Sequence, residues 1–227
     1  MHKFMIGSEN VNDIAIVTKV DYPLFSYTNI YTERASRPPI YRKRQEEKRI
    51  IQVELLLKDI CKDPIELQKE VEALIETKFK TDEPVWIEID DRYFYGLLES
   101  VSSVEMYRGI LTLDFADLLG NFYSEEKSTS VSTSFSLTTN TVKNSSVIMF
   151  DLTPTRTGVT VQVGVDKLII NNTNNNNMLI DFERKTIKQN GIDVERDINS
   201  KWGTLKKLNT IQVTNATGVI KYREVLA

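Results

Sequence analysis

The residue types that most often carry catalysis are scarce in this chain. Its 227 residues include one histidine, His2, and one cysteine, Cys61. Nucleophilic catalysis of the Ser-His-Asp or Cys-His type needs an imidazole that takes and returns a proton, and His2 lies beside Met1 at a terminus that is expected to fray. Cys61 has no other histidine as a partner and is expected to pack as a small apolar residue. The sequence therefore predicts no nucleophilic enzyme.

Metal, phosphate and sugar chemistry lack the usual signatures as well. One histidine and one cysteine cannot form a structural zinc site, and neither an Asp-rich calcium loop nor a glycine-rich phosphate loop occurs in the sequence. Asp90 and Asp91 lie between two strand-like runs, where a turn is the expected structure. A glycosidase would need two carboxylates across a cleft, and no spacing singles out such a pair. We expect no cofactor, no metal and no enzymatic activity.

The charge distribution argues against a dedicated nucleic-acid binder. Residues 1–123 hold 16 Lys and Arg against 22 Asp and Glu, and residues 124–227 hold 13 against 10. The run Arg42–Arg49 is the candidate basic patch, but it includes two glutamates, which favours a solvated or subunit-facing strand over contact with nucleic acid.

The cellular compartment can also be predicted from the sequence. A single cysteine excludes an internal disulfide, and no secretory signal precedes the first strand-like run. No apolar run approaches the roughly 20 residues of a membrane-spanning helix. We expect synthesis in a cytoplasm and no membrane insertion.

The first half of the chain combines strands with one helix. Residues Lys48–Lys58 alternate apolar and polar side chains with the period of a half-buried strand. Asp63 then supplies the N-cap, and Pro64 the first position, of a helix near residues 64–80. Two runs flank Asp90-Asp91 as a hairpin, and further strands are predicted at 97–106 and 109–115. This order indicates an α+β domain of antiparallel strands with one helix, which we place at residues 1–126.

An aromatic and proline-rich segment lies between the strand predicted at Asn12–Asp21 and the strand predicted at Lys48–Lys58. It is hard to bury inside one small domain, and its two adjacent prolines force an extended backbone. We therefore predict an arm or loop that contacts a neighbouring subunit. The residues predicted to make this contact are Tyr22, Phe25, Tyr27, Tyr31, Pro38, Pro39 and Tyr41.

A polar seam divides the chain, because fourteen of the nineteen residues Ser128–Ser146 are Ser, Thr or Asn. Beyond it, short runs with turn residues about every 8–12 positions indicate an all-β antiparallel sandwich. Asn190-Gly191 is the strongest hairpin signal, since a type I′ turn needs positive φ at both central residues. Inside the seam, Val131–Thr139 alternates with the period of a strand. We place the second domain at residues 127–227, with Val131–Thr139 as its first strand.

Taken in order, these segments resemble the siphovirus tail-component family, the distal tail proteins of phages that infect Gram-positive bacteria. In the first half the resemblance is carried by the strand 48–57, the helix 65–79, the segment Pro84–Gly96, the strand Gly109–Phe115 and the pair Phe122-Tyr123. In the second half it is carried by residues 181–191 and 200–211. The resemblance implies a galectin-like fold for the sandwich.

The resemblance also implies a structural role at the virion tail tip. The first domain would assemble into a hexameric ring that continues the tail tube, and the galectin-like domain would anchor receptor-binding or other baseplate proteins. DNA would pass through the lumen without specific binding, which an acidic first half favours. The alternative is a carbohydrate-binding sandwich for host cell-wall glycans. Trp86 and Trp202 could stack on sugars, but core or interface packing is the favoured interpretation for both.

Overall fold

The computed structural model describes residues 2–23, 27–34, 37–46, 49–58, 63–105, 108–131, 133–171 and 173–226, with the backbone alone described at 27–34, 37–46, 64 and 103–105. The chain divides into two compact units, Met1–Asn121 and Phe122–Ala227. From sequence the boundary is expected after residue 126. The residues just before that position pair with the chain's last segment, since Tyr123 forms a β-bridge with Val225 and the Ser124 amide donates to the Glu224 carbonyl at 2.9 Å.

The first unit is built on one antiparallel sheet and a separate ribbon. Seven strands form the sheet in the order β2-β1-β7-β8-β9-β6-β3, and β4 pairs with β5 as the ribbon. The alternation predicted for Lys48–Lys58 is confirmed in β6, where Ile51, Val53 and Leu55 are buried. The bounds are β1 Phe4–Ile6, β2 Glu9–Asn10, β3 Ala15–Asp21, β4 Tyr27–Arg34, β5 Arg37–Glu46, β6 Arg49–Leu57, β7 Val85–Ile89, β8 Arg92–Glu105 and β9 Ile110–Asp117.

The predicted helix is present with its predicted cap. Helix α1 spans Pro64–Leu74, and one carboxylate oxygen of Asp63 accepts from the amides of Ile65 and Glu66 at 2.9 and 3.1 Å. The last turn, Ile75–Phe79, is π-helical rather than α-helical. Its wider ring is closed by the Lys80 amide, which donates to the Ile75 carbonyl at 2.8 Å.

The hairpin predicted at Asp90-Asp91 is confirmed, because both residues have positive φ, 50° and 62°, between β7 and β8. The prediction of a separate strand at 97–106 is wrong, since β8 continues from Arg92 through Gly96 to Glu105. A Cβ at Gly96 would lie 2.7 Å from the Ala116 carbonyl oxygen and 2.9 Å from a ring carbon of Phe94. Glycine at this position permits close packing against β9 within a continuous strand.

The second unit contains two antiparallel sheets. One has the order β10-β19-β12-β15-β16-β17, and the other has the order β11-β18-β13-β14. Buried side chains of both sheets, among them Phe150, Ile220, Val161 and Ile211, belong to one hydrophobic cluster, so the unit is the β-sandwich that strand spacing predicts. The bounds are β10 Lys127–Val131, β11 Ser134–Thr138, β12 Ile148–Pro154, β13 Val159–Val163, β14 Asp166–Ile170, β15 Met178–Asp181, β16 Thr186–Gln189, β17 Ile192–Asp193, β18 Leu208–Thr214 and β19 Ala216–Tyr222.

The polar seam forms two strands. The strand predicted at Val131–Thr139 is present as β11, but it is shorter and is not the first strand of the sandwich, because β10 precedes it. β10 pairs with β19 in the larger sheet, and β11 pairs with β18 in the smaller one. The chain therefore changes sheet between Val131 and Ser134. The predicted alternation holds within β11, where Leu137 is buried and Ser134 and Ser136 are exposed. A change of sheet keeps apolar side chains on the inner face, which is why the sequence period alone did not reveal it.

Two turns of the sandwich show where residue type decides the backbone. Asn190 and Gly191 have φ of 50° and 78° between β16 and β17, which confirms the predicted hairpin. The alternating run Val159–Val165 ends as a strand at Val163, because Gly164 takes positive φ in the turn to β14. Val165 is therefore 86% exposed.

Candidate assembly interface

Two of the side chains considered for chemistry, those of His2 and Asp90, contact each other in the first unit. The imidazole Nδ1 of His2 contacts Asp90 Oδ2, and the Lys3 amide donates to Asp90 Oδ1 at 2.9 Å. Burial acts to raise the pKa of Asp90, but the hydrogen bonds from His2 and Lys3 leave it below its usual value. These contacts attach the N-terminal segment to the β7–β8 turn, so the expectation of a frayed His2 is wrong.

A metal-binding constellation is not found in the part of the chain that the structure describes, where no three His, Cys, Asp or Glu residues are grouped. Cys61 lies outside the described residues. No described helix has the length and apolar character needed to cross a membrane.

Most of the segment predicted to contact a neighbouring subunit lies in the β4–β5 ribbon. The two strands pair antiparallel from Tyr27 and Glu46 at one end to Arg34 and Arg37 at the other. They pair with each other and form no part of the seven-stranded sheet. A two-stranded ribbon has little core of its own and gains stability by packing on another surface.

The structure brings several of the predicted contact residues together. Tyr27 and Tyr31 lie on β4, and Pro38, Pro39 and Tyr41 lie on β5. Tyr31 and Tyr41 are direct cross-strand partners. Tyr22 precedes the ribbon, half-buried, with the Arg92 guanidinium 5.8 Å from its ring centroid. Phe25 lies outside the described residues.

The two prolines occupy positions where a sheet tolerates them. The pairing register shifts between Thr32 and Arg34, so that Pro38 and Pro39 lie opposite the irregularity. Proline cannot donate to a ladder and is accepted at bulges and on edge strands, and both strands of a two-stranded ribbon are edges. The proline pair is therefore compatible with the ribbon, and the extended backbone predicted for this segment is present in β5.

Charge is segregated between the ribbon and the rest of the first unit. Residues 27–46 hold five Lys and Arg against two Asp and Glu. The other residues of the unit hold 11 against 20. A basic ribbon on an acidic body is electrostatically suited to contact the body of another copy of the chain.

A buried ion pair fixes the point where the chain returns from the ribbon to the sheet. Arg49, the first residue of β6, faces Asp117, the last residue of β9, and its Nε donates to Asp117 Oδ2 at 2.9 Å. Their side chains are 7% and 0% exposed. The other Asp117 oxygen accepts from the Leu119 and Gly120 amides at 3.2 and 3.0 Å.

The ion pair links Arg49, which follows the ribbon in the chain, to Asp117, after which the chain leads out of the first unit. Burial raises the pKa of Asp117, against the lowering influence of Arg49 and the two amides. Sequence reasoning missed the pair because 68 residues separate its partners, and neither residue has a local signature. Strands β1 and β2 were missed for a similar reason. Both are short, β2 pairs with β1, and β1 is held in the sheet by β7, about 80 residues later.

The aromatic residues considered for sugar stacking are packed against other side chains. Trp202 packs on the sandwich core and meets Phe182 edge to face, with ring centroids 5.0 Å apart. Trp86 lies 5.3 Å from the Tyr95 ring in a tilted arrangement. The predicted core or interface packing is confirmed for Trp202 on the side that meets the core, while the half-buried side chain also lines a cavity of 300 Å³.

Comparison with known proteins supports the fold. No family model and no curated protein sequence matches the chain. The crystal structure of the SPP1 Dit (gp 19.1) protein matches with a TM-score of 0.70 and 18% identity over 100% of both chains. That protein is described as a paradigm of the hub adsorption apparatus in phages that infect Gram-positive bacteria.

Two structures of the phage P2 baseplate in its activated conformation also match. The form with Ca has a TM-score of 0.58 and the form with Sr 0.56, each at 11% identity over 99% of this chain and 98% of the other. The resemblance drawn from the sequence motifs is therefore confirmed at the level of the fold.

Proposed function

We propose that this chain is a structural hub protein of a siphovirus-type tail tip or baseplate. The observation that carries the proposal is the end-to-end likeness to SPP1 Dit, which covers both chains completely. A likeness over the whole length involves both compact units and the ribbon between β3 and β6. The protein would be made in the host cytoplasm and would reside in the virion tail as a non-enzymatic component.

The first unit is proposed to form a hexameric ring at the distal end of the tail tube. Its ribbon carries Tyr27, Tyr31, Pro38, Pro39 and Tyr41 and forms a two-stranded sheet separate from the seven-stranded one. Such a ribbon buries its aromatic residues by packing on a neighbouring copy. The opposite charges of ribbon and body favour that contact.

The lumen of the ring is proposed to pass DNA without binding it specifically. Outside the ribbon, the first unit has nine more acidic than basic residues, and a negative surface repels phosphates. The purified ring should not retain duplex DNA in a gel-shift experiment at physiological salt.

The second unit is proposed to be a galectin-like domain that anchors receptor-binding or other baseplate proteins. The carbohydrate-binding alternative rests on half-buried Trp202, which lines a cavity of 300 Å³ with Glu195 and Arg196, but its ring is engaged edge to face by Phe182. A protein-docking role is therefore preferred for the sandwich.

Deletion of the ribbon tests the ring. In the variant, residues 27–46 are replaced by Gly-Ser-Gly-Ser. The native 26.1 kDa chain should assemble into six-fold rings, visible by electron microscopy and by mass photometry, whereas the variant should be monomeric with both units folded. The control is Asn175→Ser, a change in an exposed loop of the sandwich, which should leave the rings intact. Rings that persist without the ribbon, or a native chain that stays monomeric, would contradict the proposal.

A further inference from the structure

The edge strands of the two sheets in the sandwich differ in how they are protected. Unprotected edges invite pairing with other chains, and natural proteins cover them, shorten them or place charges on them. The edge strand β14 is covered, because the amides of Asp197 and Lys201 donate to the carbonyls of Ile169 and Lys167 at 2.8 and 2.7 Å. The edge strand β17 has two residues, one of which is Asp193. The edge strand β10 begins with Lys127.

β11 is the other edge strand of the smaller sheet. Two hydrogen bonds at its ends show which of its backbone groups face β18. The Val213 amide donates to the Thr133 carbonyl at 2.7 Å, and the Thr139 amide donates to the Lys207 carbonyl at 2.9 Å. Hydrogen-bonded pairs alternate along an antiparallel ladder, so positions 133, 135, 137 and 139 bond to β18. The N–H and C=O groups of Ser134, Ser136 and Thr138 therefore point away from the sheet.

This outer edge lacks the usual protection. β11 reads Ser-Phe-Ser-Leu-Thr, without a charge, a proline or a register shift in its pairing with β18. Within the described residues, no backbone segment bonds to the outward groups of Ser134, Ser136 and Thr138. The ring of Phe135 is half-buried at the same margin of the core. A further strand could bond here and cover that ring.

Basic side chains lie at both ends of β11. A cavity of 520 Å³ next to its C-terminal end is lined by Lys143, Lys206 and Lys207. A cavity of 460 Å³ at its N-terminal end is lined by Ser134, Gln212 and Arg156. An added strand with acidic residues at both termini would complement these charges.

We propose that β11 accepts an extended segment of a partner protein as an additional antiparallel strand. The segment alternates polar residues, which face solvent beside Ser134, Ser136 and Thr138, with apolar residues, which cover Phe135. Acidic residues flank it and reach the two basic cavities. Backbone bonds supply the affinity of such strand addition, and the alternating side chains supply its specificity. The identity of the partner as a tail protein rests on the proposed function, but strand addition itself does not.

A synthetic peptide tests the proposal on the full-length protein. The probe has a Thr-Val-Thr-Val-Thr centre and two aspartates at each end, with a fluorophore for anisotropy measurements. It should bind the native chain and protect the amides of Ser134, Ser136 and Thr138 from hydrogen exchange.

Ser136→Pro removes an outward donor without removing a bond to β18, and should weaken binding on the order of tenfold. Ser136→Thr keeps the donor and should bind within about twofold of the native chain.

Peptide chemistry provides a second test that leaves the protein unchanged. In the proposed register, the amides of the threonines face β11 and those of the valines face solvent. N-methylation of the threonine amides should abolish binding, whereas N-methylation of the valine amides should preserve it. No binding by the unmodified peptide, or equal effects of both modifications, would overturn the proposal.

Two further results would separate strand addition from self-association and from ring assembly. The first is a comparison of the native chain and Ser136→Pro by sedimentation, without added peptide. If Ser136→Pro forms smaller species than the native chain, β11 mediates self-association, and the partner-segment proposal is overturned. Strand addition by a chain that forms no rings would contradict the proposed hub while supporting this inference.

Discussion

At the residue scale, the ion pair of Arg49 and Asp117 is buried and joins two strands of the first unit. It joins the start of β6, where the ribbon returns, to the end of β9, where the chain begins to leave the unit. Taking two charges out of water is costly, and a buried pair is retained only when geometry and additional bonds compensate. Asp117 has those bonds, from Arg49 and from the amides of Leu119 and Gly120.

Removal of one partner should therefore be more damaging than removal of both charges. We expect Arg49→Met to lower the free energy of unfolding of the first unit by about 3–5 kcal/mol, since it leaves a buried carboxylate without its cation. The double variant Arg49→Met/Asp117→Asn should recover a large part of that loss. Urea denaturation followed by Trp86 fluorescence in a Trp202→Phe background measures this. If the single and the double variant are equally destabilised, the Arg49 cation does not offset the cost of burying the Asp117 carboxylate.

The same pair gives a pH dependence with a defined sign. Burial raises the folded-state pKa of Asp117, so the folded state holds this proton more tightly than the unfolded state, and the carboxyl favours folding more as the pH falls through the folded-state value. Arg49→Met removes a lowering influence and raises that pKa further. The deficit of the variant relative to the native chain should be largest at neutral pH and should shrink at acidic pH in the same denaturation experiment.

At the element scale, helix α1 shows how short-range chemistry sets a boundary. Asp63 satisfies two of the amides that a helix start leaves without partners, and Pro64 occupies a position where no amide is needed. Buried Leu67 and Val71 then hold the helix on the unit's core. These features act within one or two turns, so the sequence alone located the helix start.

The cap can be tested by a pair of substitutions at one position. Asp63→Ala should destabilise the first unit by about 0.5–2 kcal/mol, because the Ile65 and Glu66 amides lose their acceptor. Asp63→Ser should cost little, since serine is also a good N-cap. The measurement is the same Trp86-detected urea transition. An alanine variant as stable as the serine variant would show that the cap contributes nothing.

At the scale of the whole molecule, charge is distributed unevenly along the chain. The ribbon is basic, the remainder of the first unit is acidic, and the sandwich has an excess of three basic residues. In the proposed ring, the ribbon of one copy meets the acidic body of the next, so assembly should depend on ionic strength. Screening lengths fall from roughly 10 Å at 0.1 M salt to about 3 Å at 1 M.

A charge exchange in the ribbon tests this arrangement. The variant Arg42→Glu/Lys43→Glu/Arg44→Glu should fail to form rings at physiological salt, measured by mass photometry, because like charges then meet. The control Lys167→Glu/Lys188→Glu/Lys201→Glu makes the same change in net charge at exposed positions of the sandwich and should assemble normally. Loss of rings in both variants would point to net charge rather than to the ribbon.

The sequence by itself determined the features that local chemistry controls. The turns at Asp90-Asp91 and Asn190-Gly191, the cap at Asp63 and the alternation of β6 follow from residues within a few positions of one another. The predicted contact segment was likewise recognised from composition, and its role between subunits stays a prediction.

Only the tertiary structure decided which strands meet. The seam divides between two sheets because β10 pairs with β19 and β11 with β18, about 70 to 95 residues later in the chain. Arg49 pairs with Asp117, which lies 68 residues later in the chain. The close approach of β9 to Gly96 is likewise a tertiary contact, which the sequence around Gly96 does not show. Side-chain alternation specifies which face of a strand is buried but not which neighbour it joins, and that choice depends on the packing of the whole unit.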